Sequence, residues 1–333
     1  MKLKTPYLLF LGDAEDQLAA KTALGVKDWR PDWCLGQFRL PGCRADLGLP
    51  DLSFEEARAG GAETLIVGVA NRGGVVSNAW VDVLLQALNA GFDIASGLHN
   101  RLRAVPALAD RAAEKGLDLF DVRHFDGDLS VGTGVKRQGK RLLTVGTDCS
   151  VGKMYTSLAI HRELRERGIP TDFRATGQTG IFIAGGGISV DAVVADFISG
   201  AAESLSPDNA PDHWDIVEGQ GSLFHASFAG VSLGLLHGSQ PDLLVMCHEP
   251  TRAHMRGLPN VPLPGVRDCV AENERAGRLT NTDCRCVGVS VNTSGFESED
   301  RSLSYLEDLE AEIGLPCVDP FRTGVERIVD MID

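Results

Sequence analysis

One stretch constrains the fold more than any other: Leu142-Leu-Thr-Val-Gly-Thr-Asp-Cys-Ser-Val-Gly-Lys-Met154. The apolar run Leu142 to Val145 reads as a strand. A loop bounded by Gly146 and Gly152 follows and ends at Lys153. A helix then runs to about Arg167 and stops at Gly168, with Pro170 just beyond. A strand, glycine-bounded loop and helix in this order turn backbone N–H groups inward and aim a helix N-terminus at one point. That geometry binds phosphate. The candidate ligand-binding residues are therefore Gly146, Thr147, Asp148, Cys149, Ser150, Val151, Gly152, Lys153 and Met154. Lys153 brings a point charge within reach of outer phosphates. The plain alternative is a glycine-rich turn with no ligand.

The usual phosphate loop reads Gly-x-x-x-x-Gly-Lys-Ser/Thr. Here five residues, not four, separate Gly146 from Gly152, and Met154 stands where a hydroxyl would hold magnesium. A thioether is a poor ligand for an ion that wants hard oxygens. Thr156 is two residues on, about 200° round a helix, and cannot substitute. The pattern predicts a cradle for a phosphate-bearing ligand that is not cleaved there, with no metal. The longer spacing resembles the Gly-Thr-Asp-x-x-Val-Gly-Lys-Thr loop of dethiobiotin synthetase.

On both sides of this stretch, short apolar runs alternate with helical periodicity. Strands are expected at Tyr7 to Leu11, Thr64 to Ala70, Asp93 to Ser96 and Leu117 to Val122. Ser53-Phe-Glu-Glu56 is a capping box; further helices are expected from Trp80 to Ala90 and from Val105 to Lys115. Residues 26–50 read as irregular. Beyond the loop, strands are expected at Thr171 onward, Trp214 to Val217, Leu243 to Cys247, Cys286 to Val291 and Pro316 to Val318. An element alternating apolar and acidic residues covers Val190 to Ile198. Such alternation of strand and helix is an α/β fold of doubly wound sheets. The glycine-rich segment 124–140 is the linker candidate, which divides the chain into domains 1–137 and 138–333.

Polar residues at strand ends are the other candidates. Glu218 closes one strand; His248 and Arg252 leave another together, as a possible base and a carboxylate clamp. Arg174 and Gln178 flank a glycine-hinged loop, and Asn292 follows a late strand. Arg72, His99 and Asn100 lie in loops after N-terminal strands, where such folds place ligands.

With 333 residues there is room for two cores, and a net charge of −14 argues against a nucleic-acid partner. No apolar run approaches the length that crosses a membrane. The N-terminus is expected to be a first strand rather than a leader, because acidic residues follow at once. Eight cysteines, most in apolar strands, are expected as reduced thiols in a cytoplasmic protein. Cys149 stands at a helix N-terminus, which lowers a thiol pKa; the alternative is a small residue that fits the loop.

The motifs Gly146 to Met154, Ala175-Thr-Gly-Gln-Thr-Gly180, Glu218-Gly-Gln-Gly221, His248-Glu-Pro-Thr-Arg252 and Val291-Asn-Thr293 together resemble a two-domain bacterial and archaeal family. The resemblance spans essentially the whole chain and is most specific in its C-terminal half. It implies a Rossmann-like N-terminal sheet and a P-loop NTPase-like C-terminal sheet. Some members of that family are D-glutamate N-acetyltransferases of D-amino-acid catabolism. The resemblance thus implies an acyltransferase with acetyl-CoA as cosubstrate, D-glutamate as acceptor, and a homo-oligomer with no membrane or nucleic-acid partner. It implies His248 or Glu218 as the proton acceptor, Asn292 on the nucleotide base, and Arg252, Arg174 and Gln178 on the substrate. Coenzyme A carries a diphosphate and a further phosphate, which suits a cradle without a magnesium ligand. Two alternatives stay open: an ATP-dependent kinase or ligase like dethiobiotin synthetase, and a non-catalytic nucleotide sensor.

Overall fold

A computed structural model describes residues 2–69, 76–125 and 127–332. Eleven strands are assigned among them, in two sheets. β1 (Tyr7–Gly12), β2 (Cys34–Arg39), β3 (Thr64–Val67), β4 (Asp93–Ser96) and β5 (Leu119–Asp121) form the first, ordered β2-β1-β3-β4-β5 with every pairing parallel. β6 (Lys140–Gly146), β7 (Thr171–Arg174), β8 (Trp214–Val217), β9 (Leu243–His248), β10 (Arg285–Val291) and β11 (Cys317–Val318) form the second. Its order is β11-β10-β9-β6-β8-β7, again all parallel. Parallel pairs need crossover connections, and the chain supplies a helix for nearly every one. Strands buried on both faces read as continuous apolar runs, and all six residues of β1, β6's last six and all of β9 are buried. The first strand of each sheet is central, so each order reverses beside it. Ligands of open α/β sheets bind at the carboxyl ends of strands at such a reversal.

The chain divides into two compact units, Met1–Asp126 with Gly177–Ala192, and Gly127–Thr176 with Val193–Asp333. In the first, Phe10, Phe38, Phe54, Phe92 and Trp80 form a linked aromatic core. In the second, helix Lys153–Glu166 follows β6 and packs on it and on β7 and β8. None of the helices among the described residues is long and apolar enough to cross a membrane.

Several local expectations are corrected. The stretch read as irregular holds β2, and helix Lys21–Trp29 overlaps its start. β2 is an edge strand with a mixed sequence, and its Gly36 is demanded by packing: a Cβ there would lie 2.8 Å from the Pro50 carbonyl oxygen. The element expected over Val190 to Ile198 is two short 3-10 turns running into helix Ile198–Leu205. Asp191 there pairs with Arg123 at 2.7 Å and accepts from the Ser189 hydroxyl. Helix Ala229–Ser239 carries no charged residue and no amphipathic stripe, so periodicity could not reveal it. Its Gly238 lies against the Ser199 carbonyl, where a Cβ would approach to 2.2 Å. Residues 130–137, within the linker candidate, are docked on the second unit. Glu203 accepts from the Thr133 and Gly134 N–H groups, and Arg137 donates to carbonyls of Glu203, Ser206 and Gly238.

Candidate active site

The central strand β6 delivers its loop to the carboxyl end of the second sheet. Thr147 N–H donates to the Cys247 carbonyl on β9 (3.0 Å), which holds the loop's root. The loop then turns through two left-handed residues, Ser150 (φ +54) and Gly152 (φ +104). A serine in that region carries backbone strain of order 1 kcal/mol, of the kind that accumulates at ligand sites. Among the described residues, the backbone N–H groups of Ser150, Val151 and Gly152 form no hydrogen bond. Three unpartnered donors in a turn at a helix start are an anion-binding concavity. Lys153 begins the helix and is buried; its ammonium donates to the Asp148 carbonyl at 2.8 Å, and burial lowers its pKa. Two glycines make room for it. A Cβ on Gly146 would lie 2.9 Å from Lys153 Nζ, and one on Gly219 would lie 3.0 Å from its Cδ.

Asp148 is the loop's internal anchor. It is fully buried; Oδ1 accepts from its neighbour's N–H on Cys149 (2.6 Å), and Oδ2 accepts from Arg252 Nη1 and from the Arg256 N–H, both at 2.8 Å. Arg252 leaves the end of β9 and wraps the loop. Its Nε donates to Glu249, Nη1 also to the Cys149 carbonyl (2.7 Å), and Nη2 to the Ser150 carbonyl (2.7 Å). Arg252 thus ties the end of β9 to the loop through contacts with two carboxylates and two loop carbonyls. The sequence showed an arginine at a strand end; its partners depend on where β6 and β9 meet.

His248 is equally engaged. Nδ1 meets Thr147 Oγ1 at 3.0 Å and Nε2 meets the Tyr305 hydroxyl at 3.1 Å, so the ring links the loop to helix Glu299–Ile313. Burial lowers its pKa to about 4. It is neutral at pH 7. Glu218 lies just beyond β8, beside β6, and is buried; Oε2 accepts from Thr176 N–H (2.9 Å), and Gly219 N–H donates to Thr144 Oγ1 on β6 (3.0 Å). Glu218 is thereby held next to the strand that carries the loop.

The remaining candidates are dispersed. Arg174 folds back along the strands, with Nε on Asp215 (2.8 Å) and Nη2 on Asp172 (3.1 Å), away from the loop end of β7 and β8. Asn292 closes a local turn, its Oδ1 accepting from Ser294 N–H, while its own N–H donates to the His248 carbonyl (2.8 Å). Gln178 opens helix Gln178–Ala184 in the first unit, packed where Gly97 lacks a side chain. His99 and Asn100 also lie in the first unit, and Arg72 lies outside the described residues. Met154 is half-buried in the first helical turn. Thr156 Oγ1 is hydrogen-bonded to Ser290 Oγ on β10 at 2.7 Å and donates to the Gly152 carbonyl at 3.0 Å. Cys149 departs from the helix-terminus expectation: burial raises its pKa, and the opposing pull of Lys153, Arg256 and Arg252 is smaller.

Among the described residues, two clusters of side chains come close enough to share an ion. Asp148, Cys149 and His225 place ligand atoms within 4.8 Å of one another, as do Asp172, His213 and Asp215. In the first, the Asp148 oxygens are occupied, and His225 accepts from Ser227 N–H at Nδ1 and meets the Arg256 carbonyl at Nε2. In the second, the Arg174 guanidinium already bridges the two carboxylates. All eight cysteines are unpaired, and burial pushes Cys284 and Cys286 up to about 12 and about 11. His225, Tyr305 and Arg256 are the site residues that the sequence did not single out, since none falls in a motif or at a strand end.

Residues 130–329 match a P-loop domain and residues 38–125 a Rossmann-like domain, the C- and N-terminal domains of unknown function of DUF1611. The chain is 56% identical over 330 residues to a protein of Tritonibacter scottomollicae named D-glutamate N-acetyltransferase, with 99% of each chain covered. It is 51% identical over 329 residues to a Pseudoalteromonas protein of the same name, again with 99% of each covered. A crystal structure of a DUF1611 family protein from Anabaena variabilis superposes with a TM-score of 0.85 at 30% identity, over 98% of this chain and 99% of that one. The loop, its brace and its two parallel sheets thus sit in a chain whose whole length is shared with these proteins: it belongs to the DUF1611 family.

Proposed function

We propose that the protein is an N-acetyltransferase that moves the acetyl group of acetyl-CoA to the amino group of D-glutamate. The two full-length relatives that bear this enzyme name support the reaction. The observation that carries the donor class is the loop. Three N–H groups without protein partners stand beside Lys153, and Met154 holds the position where phosphate loops carry a magnesium-binding hydroxyl. A Cβ at Gly152 would meet nothing within 4 Å, so the turn is open on that side. These features suit the diphosphate of coenzyme A, held without turnover of its phosphates.

In this reading the loop and Lys153 bind and orient the donor. Glu218, held by Thr176 beside β6, takes the proton from the acceptor's ammonium group. The freed amine forms the N–C bond as the C–S bond breaks, and the thiol leaves with a proton. His248 and Arg252 keep the loop in shape. The same reading places the enzyme in D-amino-acid catabolism, as a cytoplasmic homo-oligomer acting on small molecules.

Purified protein with D-glutamate and acetyl-CoA, followed by thiol release, tests the proposal. Release with D-glutamate, undiminished by EDTA, is the expected result. No release with any D-amino acid, or magnesium-dependent ADP production abolished by Lys153→Ala, would overturn it, the second in favour of a kinase or ligase.

A further inference from the structure

Arg256 differs from the other cation of its loop in what it touches. The Arg252 guanidinium is taken up by Asp148, Glu249 and two loop carbonyls. The Arg256 side chain is exposed, and among the described residues its guanidinium forms no hydrogen bond or ion pair. Its backbone, in contrast, is fixed from both sides. The N–H donates to Asp148 Oδ2 at 2.8 Å, and the carbonyl meets His225 Nε2 at 3.0 Å. Beneath it Met255 is buried, and the turn beyond closes on itself through Met255 N–H to Val261, Leu258 N–H to Met255 and Val261 N–H to Leu258. Gly257, at φ +77, permits that turn. A fixed root with an uncommitted head is a pre-organised binding group, because little backbone freedom is lost when a ligand arrives.

The charge balance points the same way. The chain carries a net −14, which repels anionic ligands. Lys153 is buried with its ammonium on a loop carbonyl, and Arg252 faces two carboxylates. Arg256 also opposes the upward push of burial on the half-buried Cys149 thiol, which places its charge within the electrostatic reach of the loop. We infer that Arg256 is the substrate clamp of this site, gripping an oxyanion, either a phosphate of the donor or a carboxylate of the acceptor, in the fork geometry that guanidinium offers both. The inference rests on the proposed reaction for the identity of the two substrates, and on the structure alone for the residue.

The test compares wild type with Arg256→Gln and Arg256→Lys, titrating each substrate against saturating amounts of the other. One KM is expected to rise at least tenfold in Arg256→Gln, about 1.4 kcal/mol, with kcat changed less and partial recovery in Arg256→Lys. A rise for acetyl-CoA assigns the phosphate, and a rise for D-glutamate assigns the carboxylate. Thermal melting should be unchanged, since the side chain holds nothing in the fold. Both KM values within twofold of wild type would overturn the inference. A second arm is read without turnover: calorimetric titration of wild type and Arg256→Gln with inorganic diphosphate and, separately, with D-glutamate. If wild type transfers no acetyl group the proposed function fails, yet weakened binding of either probe in Arg256→Gln still supports the clamp. Equal binding by both proteins, or no binding by wild type, overturns it.

Discussion

Arg252 Nη1 lies 2.8 Å from Asp148 Oδ2, so a fully buried carboxylate in the loop after β6 is neutralised by an arginine from the end of β9. The two strands are hydrogen-bonded neighbours, with Gly146 opposite Cys247. Their adjacency brings the partners together, and the pair sets the shape of the phosphate cradle.

Arg252→Ala leaves Asp148 buried with one charge partner fewer. Removing one member of a buried pair is strongly destabilising, here on the order of 3 kcal/mol. Denaturant unfolding is expected to show a lower midpoint with an unchanged slope. Arg252→Lys should recover only part, because an ammonium cannot reach Asp148, Glu249 and both loop carbonyls together. Full recovery by lysine would contradict the bracing role.

Lys153→Ala should raise the KM for the acyl donor at least tenfold. Charge-assisted bonds to phosphate are each worth roughly 1.5–3 kcal/mol, and each 1.4 kcal/mol is a decade. Steady-state titration of acetyl-CoA measures it, and an unchanged KM would place the donor's phosphates elsewhere.

Gly146→Ala should raise the donor KM as Lys153→Ala does and lower stability in part, since its new Cβ would lie 2.9 Å from Lys153 Nζ and from Val151 Cγ2 and 3.0 Å from the Asp148 carbonyl oxygen, so the loop itself has to shift. Gly219→Ala should instead fail to accumulate as folded protein, because its Cβ would lie 1.7 Å from the Thr144 backbone oxygen, which cannot give way. Melting temperatures of the two variants separate these outcomes.

His248 makes stability pH-dependent. Its pKa is about 4 in the folded chain, below its ordinary value of 6.5, so between those values the unfolded chain binds the proton and the folded chain does not. The contribution, on the order of 3 kcal/mol, is complete above pH 6.5 and is lost as pH falls toward 4. His248→Gln should flatten the stability curve in that window, and the wild-type rate profile should show no acid limb near 6.5 from this residue. An identical pH dependence in wild type and variant would refute the assignment.

Met154→Thr puts a hydroxyl where phosphate loops hold magnesium. Calorimetry is expected to reveal magnesium-dependent ADP binding in the variant, with no gain in acetyl transfer. Wild-type activity that disappears on adding EDTA would count against a metal-free cradle.

Much of the architecture was legible because parallel strands buried on both faces leave continuous apolar runs, and helices between them leave a 3.6-residue period. β4 was placed at Asp93–Ser96 as expected, and the Ser53 capping box is present. The edge strand β2 and the charge-free helix Ala229–Ser239 were not legible, one for its mixed sequence and one for lacking a polar face.

By itself the sequence determined the local chemistry of this protein. A strand, a glycine-bounded loop, Lys153 and a helix follow one another in the chain, so the cradle needs no distant partner to be recognised. Only the tertiary structure decided how the other charged residues are used. Arg252 and Arg256 are four residues apart and look alike in sequence, yet one closes on Asp148 and the loop carbonyls while the other keeps its guanidinium exposed. Arg174 turns to Asp215, and His248 is sealed between Thr147 and Tyr305. Each outcome depends on which neighbours lie across a sheet or a helix, and those contacts join residues as many as 104 positions apart.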